Sequence, residues 1–192
     1  MSIWRRLWII KRKHLVILLV VLVGKPGVFM WYSYLFICVI VFNTIAICMK
    51  KNLKPIEMYA TVITSLLIQT KVDRWTDRMD WYGFFERVHV DAPTLLVSMG
   101  LYPAASLIML NFYPYDKSKW HAAGYILIWS IASTFFEWTF LKMGYMYYGN
   151  GYHLIYSAFS YPFLFLLLFG NLKLVHTILK KSGEKGSSRP QN

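Results

Sequence analysis

The chain has 192 residues, 57% of them apolar and 16% charged, with mean hydropathy +0.40 and net charge +12. Soluble domains carry roughly 45–50% apolar and about 25% charged residues, so this balance excludes an ordinary soluble domain and predicts an integral membrane protein. Lys and Arg cluster beside apolar runs, which points to anionic headgroups and membrane orientation and away from nucleic acid.

Residues 1–14 open the chain as a basic, aromatic interfacial segment, with two Trp and Arg5, Arg6, Lys11, Arg12 and Lys13. Leu15 to Val23 follows, nine apolar residues with no small-residue cleavage pattern after them. As helix they reach about 14 Å, half a bilayer. This run either crosses with its lysines reaching back to the surface or lies at the interface. Val28 to Met49 reads as a full span of 22 residues, stopped by Lys50, Lys51 and Lys54. Cys38 and Cys48 both lie in it. Ten residues apart on one helix, they sit about 15 Å from each other along the axis and cannot bridge.

Pro55 suits the first turn of the next helix, and Glu57 suits its positive end, facing headgroups. Thr61 and Thr64 share the face of Glu57 and are expected to pack inward. The interruption from Lys71 to Asp91 is too short for a core of its own. It carries Asp73, Asp77 and Asp80 at i, i+4 and i+7, one acidic stripe if helical, with Arg74 and Arg78 on a neighbouring face. Thr94 to Pro114 is the next span, with Pro103 expected to kink it. Trp120 to Leu141 and Leu154 to Ile178 complete the set, and the tail from Lys180 reads as disordered. The expected fold is therefore an all-α polytopic transmembrane bundle of about six segments, the first short, occupying residues 15–179.

Charge counting sets the expected orientation. With six crossings, one side carries fourteen Lys and Arg and the other six. If Leu15 to Val23 does not cross, the split falls to eleven against nine. The positive-inside rule prefers the first arrangement, with both termini cytoplasmic.

Glu137, in FFEWTFLK, is the residue that most needs explaining. A carboxylate inside a membrane helix is expensive and is a functional candidate by default. Ser130, Ser133 and Thr134 lie on its side of the helix. Lys142, Arg74, Lys71 or a tyrosine hydroxyl from the following loop, GYMYYGNGYH, are its candidate partners. A plain structural role, holding helices together by hydrogen bonds, competes with the functional one. Tyr148 and His153 in or beside that loop, with Asp73, complete the candidate cluster. The loop tyrosines fit an interfacial belt or the mouth of a ligand site. His153 has no second ligand at metal spacing. Asp73, Asp77 and Asp80 are a candidate Mg²⁺ set for a lipid or prenyl diphosphate substrate, against the plainer reading of a solvated helix with Asp–Arg pairs. Ser157 and Ser160 lack a nucleophile motif. His176, Asn43 and Asn171 are candidates for hydrogen bonds across helices.

The motifs LYP (101–103), LNFYP (110–114), FEWxxxKxG (136–144) and YSAxxYP (156–162) resemble those of a family of small multi-pass membrane proteins in spore-forming Gram-positive bacteria, over roughly residues 57–178. The resemblance implies a bacterial cytoplasmic membrane and a multi-pass topology, and supplies neither catalytic residues nor a cofactor. The resulting expectation is a non-catalytic accessory, structural or interaction protein, with the bilayer and a second copy or another membrane protein as partners. A metal-dependent lipid enzyme and a small proton-coupled carrier using Glu137 are the alternatives.

Overall fold

A computed structural model describes residues 26–84, 95–144 and 146–187. The segment Leu15 to Val23, and with it the question of a first crossing, lies outside the described residues. Five helices dominate: α1 (Pro26–Cys48), α2 (Pro55–Arg78), α3 (Leu96–Asn111), α4 (Lys119–Lys142) and α5 (Leu154–Ser187). The all-α expectation is met, with one addition. Strands β1 (Tyr82–Phe84) and β2 (Met146–Tyr148) pair antiparallel, Tyr82 opposite Tyr148.

The helices close a ring. α1 packs on α3, α3 on α2, α2 on α5 and α5 on α4. Side chains of α4 and α1 then complete the circle: the Tyr34 and Thr139 hydroxyls are 2.8 Å apart, and Phe42 meets Phe136 edge-on at 5.5 Å. Successive helices run in opposite directions, so the ribbon gathers at one end. A core of Leu35, Cys38, Val97, Leu101, Phe140 and Met146 fills that end. Leu53, Met109, Leu110, Leu168 and Leu172 fill the other.

Local chemistry sets the element boundaries. In α2, Pro55 opens the helix, and the Glu57 carboxylate turns back to accept the Lys54 backbone N–H at 2.8 Å, satisfying a donor the helix start leaves over. The helix does not stop at Thr70 but runs to Arg78, because Lys71–Arg78 contains no breaker. In α3 the expected effect of Pro103 takes a definite form. Leu96–Leu101 is π-helical, and Tyr102 N–H bonds to Val97 O, five residues back. Proline lacks the N–H that would bond four residues back, and the wider turn accommodates that loss. The C-terminal segment was expected to be disordered from Lys180, yet α5 continues to Ser187. Lys and Glu are good helix formers, and Pro190 lies beyond its end.

The six-span expectation is not matched in its detail. Among the described residues, one helix, Leu154–Ser182, is long and apolar enough to cross a membrane by length and composition. Ser33–Cys48 and Leu96–Asn111 are apolar but shorter. α2 and α4 fall short because polar and charged side chains, such as Gln69 and Asp73 or Ser130 and Glu137, lie along them. Cys38 and Cys48 are both free, in keeping with their spacing.

Candidate functional site

Glu137 sits one and a half turns before the end of α4, with only 5% of its surface exposed. Its partners are hydroxyls. Tyr148 from β2 donates to Oε1 at 2.7 Å, and Ser157 from α5 donates to the same oxygen at 2.6 Å. Tyr161, one turn further along α5, donates to Oε2 at 2.6 Å. The Tyr152 hydroxyl lies 3.0 Å from Ser157 Oγ and backs this set. Three donors on two oxygens match a carboxylate, which only accepts. Bonds to a charged acceptor are the stronger kind.

The candidate cations do not reach Glu137. Lys142 Nζ lies 5.9 Å from the centre of the Trp138 ring, a cation–π contact on the exposed face of α4. Its place at i+5 turns it away from Glu137. Lys71 and Arg74 are exposed. Among the candidate partners, a loop tyrosine is the one that makes contact.

The ribbon carries Tyr148 to the carboxylate. α4 ends through Gly144 in the left-handed region (φ 73°), which closes the helix and sends the chain into β2. Beyond β2, Gly149 N–H bonds to Trp81 O at 2.8 Å. A Cβ on Gly149 would stand 2.5 Å from the backbone oxygen of Asp80, so only glycine allows this approach. Asn150 Nδ2 donates to Met79 O at 2.9 Å, pinning the same crossing. Tyr152 then stacks on Trp81 (5.9 Å, 20° between planes) and meets Tyr148 at 5.2 Å. The tyrosine loop is thus an internal lattice around Glu137 more than an interfacial belt. Burial, and then its hydrogen bond to the carboxylate, raises the Tyr148 phenol well above its usual pKa. His153 is exposed, beside the Tyr156 ring at 6.0 Å, and is not part of the cluster.

The three aspartates do not form a metal set. α2 ends at Arg78, and Asp80 takes a left-handed backbone (φ 53°), so the i+7 alignment is broken. Asp77 is exposed, whereas Asp73 is partly buried, accepting from Gln69 at 2.5 Å and from the Tyr82 hydroxyl at 3.4 Å. Among the described residues no group of three His, Cys, Asp or Glu is placed to hold a metal ion. Asp73 lies past Lys71, beyond the apolar stretch of α2. Burial is the main cause that lifts its carboxyl to a pKa of about 6.

Inside the ring lies a cavity of about 840 Å³. All five helices and the ribbon line it. One end presents Glu137, Tyr152, Ser157 and Tyr161, and the other Ile68, Trp129, Phe165 and Leu168.

Two polar fastenings lie at the far end. Glu57 is buried, not turned to headgroups, and its Oε1 is 2.8 Å from His176 Nδ1 of α5. Thr61 and Ser65 continue its buried line along α2. Asn111, 1% exposed, accepts the Asn52 backbone N–H at 2.7 Å and donates to Lys50 O at 2.8 Å. Asn43 Nδ2 reaches Gly100 O at 3.1 Å, from α1 to α3. Sequence reasoning missed Asn111 and Tyr161. For Asn111 the signal was an amide in an apolar run, and for Tyr161 its place eight residues after His153 on the helix facing Glu137. No protein-family profile, curated protein or solved structure matches the chain.

Proposed function

We propose that this is a multi-pass protein of a bacterial cytoplasmic membrane, with both termini cytoplasmic, that acts by binding and not by catalysis. Its ring of helices takes a small apolar or amphipathic molecule into the central cavity. The observation that carries this reading is the cavity. Its volume falls within the roughly 300–1,000 Å³ of small-molecule sites, and apolar walls with a few convergent polar groups at one end are the composition such sites have. Support for a multi-pass arrangement comes from the outer surface. Ile37, Ile47, Leu67, Met99, Ile128 and Phe163 are exposed, from every helix of the ring, while the carboxylate and hydroxyls turn inward. Apolar outside and polar inside is the distribution expected of a bundle solvated by lipid. Neighbouring helices can carry α2 and α4 across despite their polar residues, since those residues face the ring.

The test is saturable binding of the neutral fluorophore N-phenyl-1-naphthylamine to the full chain in maltoside micelles, compared with Ala132→Phe. Ala132 lines the cavity, and a phenyl ring there fills part of it. Saturable fluorescence enhancement in the parent, lost in a folded Ala132→Phe variant, is expected. Equal enhancement in both proteins would place the probe elsewhere and remove the reading.

A further inference from the structure

The chain carries a net charge of +12, yet Glu137 is the single charged residue among those lining the cavity. Its three partners are neutral hydroxyls, which satisfy its lone pairs without cancelling its charge. No described Lys or Arg forms an ion pair with it. A buried charge with hydrogen bonds but no counter-ion is incomplete electrostatically. What surrounds it is aromatic: Trp81, Tyr82, Tyr152, Tyr156 and Tyr161 all line the same end of the cavity. Aromatic faces attract cations and do not require them to shed an apolar coat. The opposite end offers only apolar wall.

We infer that the cavity is a binding site for a lipophilic organic cation, its charged centre set against Glu137 and the Trp81–Tyr152 rings, its apolar body lying toward Trp129, Phe165 and Leu168. This inference rests on the binding reading above and specifies its ligand class. Each feature contributes a separate element of selectivity. The carboxylate rejects anions, because two negative charges would share a low-dielectric space. The absence of a cationic lining residue leaves no anchor for a phosphate or carboxylate headgroup. The aromatic end accepts a quaternary centre that cannot donate a hydrogen bond, so the hydroxyls need not release Glu137 for the ligand to bind.

The experiment uses two ions of matched shape and opposite charge, tetraphenylphosphonium and tetraphenylborate, as competitors of bound N-phenyl-1-naphthylamine in the same micelles. The phosphonium is expected to displace the probe at a concentration about tenfold lower or less, a modest demand for one buried charge pair. Glu137→Gln should collapse that preference to within about twofold, whereas Lys142→Gln, outside the cavity, should leave it intact. Equal displacement by the two ions, or better displacement by the borate, overturns the inference while the cavity reading stands. Failure of the parent protein to bind the neutral probe at all removes both. Should Glu137→Gln not fold, the comparison of the two ions on the parent protein decides alone.

Discussion

The hydrogen bond from Tyr161 to Glu137 is the best place to test whether the carboxylate cluster holds the ring shut. Tyr161→Phe removes one hydroxyl and leaves the ring stacked near Phe165 (6.1 Å between centres). The lost bond is 2.6 Å long and ends on an oxygen that has no other described donor. In water-soluble proteins a bond to a charged group is worth about 1.5–3 kcal/mol. Between membrane helices the measured average is nearer 0.6 and the upper end about 1.7 kcal/mol, because the separated helices find other partners. A short bond to a buried carboxylate belongs at that upper end, so the expected loss is about 1.5 kcal/mol. For a chain of this size that lowers Tm by roughly 3–6 °C. The assay is thermal unfolding in mild detergent, run as a double-mutant cycle with Glu137→Gln. In the Gln background the same phenol meets a neutral amide, and the cost of removing it should fall to about 0.5 kcal/mol, a coupling of about 1 kcal/mol. If Tyr161→Phe costs the same in both backgrounds, the hydroxyl does not act through the carboxylate. If it costs nothing in either, the cluster is not a fastening.

Asp73 gives the pH dependence. Its folded pKa of about 6 lies above the unfolded value near 4, so the folded state binds the proton more tightly and stability is greatest below pH 4. Stability should then fall as pH rises through 6, by at most about 3 kcal/mol, and Asp73→Asn should flatten the profile between pH 4 and 7 when unfolding is followed by tryptophan fluorescence. A profile that rises over this interval and is unchanged by the substitution would contradict the burial of Asp73. Asn111→Ala leaves Asn52 N–H and Lys50 O without their partner, so a loss of about 2–4 kcal/mol is expected in the same thermal assay; a loss under about 0.5 kcal/mol would mean that water enters that end freely.

The identity of the helices was legible along the chain. Apolar runs bounded by Lys50–Lys54, by Asp116–Lys119 and by the glycine–tyrosine loop gave every described helix to within a few residues, because a helix satisfies its own backbone and needs only local information. Glu137 was legible too, since a carboxylate in such a run must be accounted for wherever the run ends up. Its partners were not. Lys142 is five residues away in sequence and points elsewhere, while Tyr148, Ser157 and Tyr161 are brought in by β2 and α5, eleven to twenty-four residues on. The aspartate stripe failed for a related reason, as it assumed a helix that the left-handed Asp80 interrupts. The burial of Glu57 depends on α5 passing beside the start of α2 and presenting His176, 119 residues later. The sequence by itself determined an all-α chain, its apolar surface and the one carboxylate that demanded an explanation. Only the tertiary structure decided the ring, the cavity within it and the hydroxyls around Glu137, because helix order and rotation are set by side-chain packing between segments distant in the chain, and no periodicity within one segment records which face another will meet.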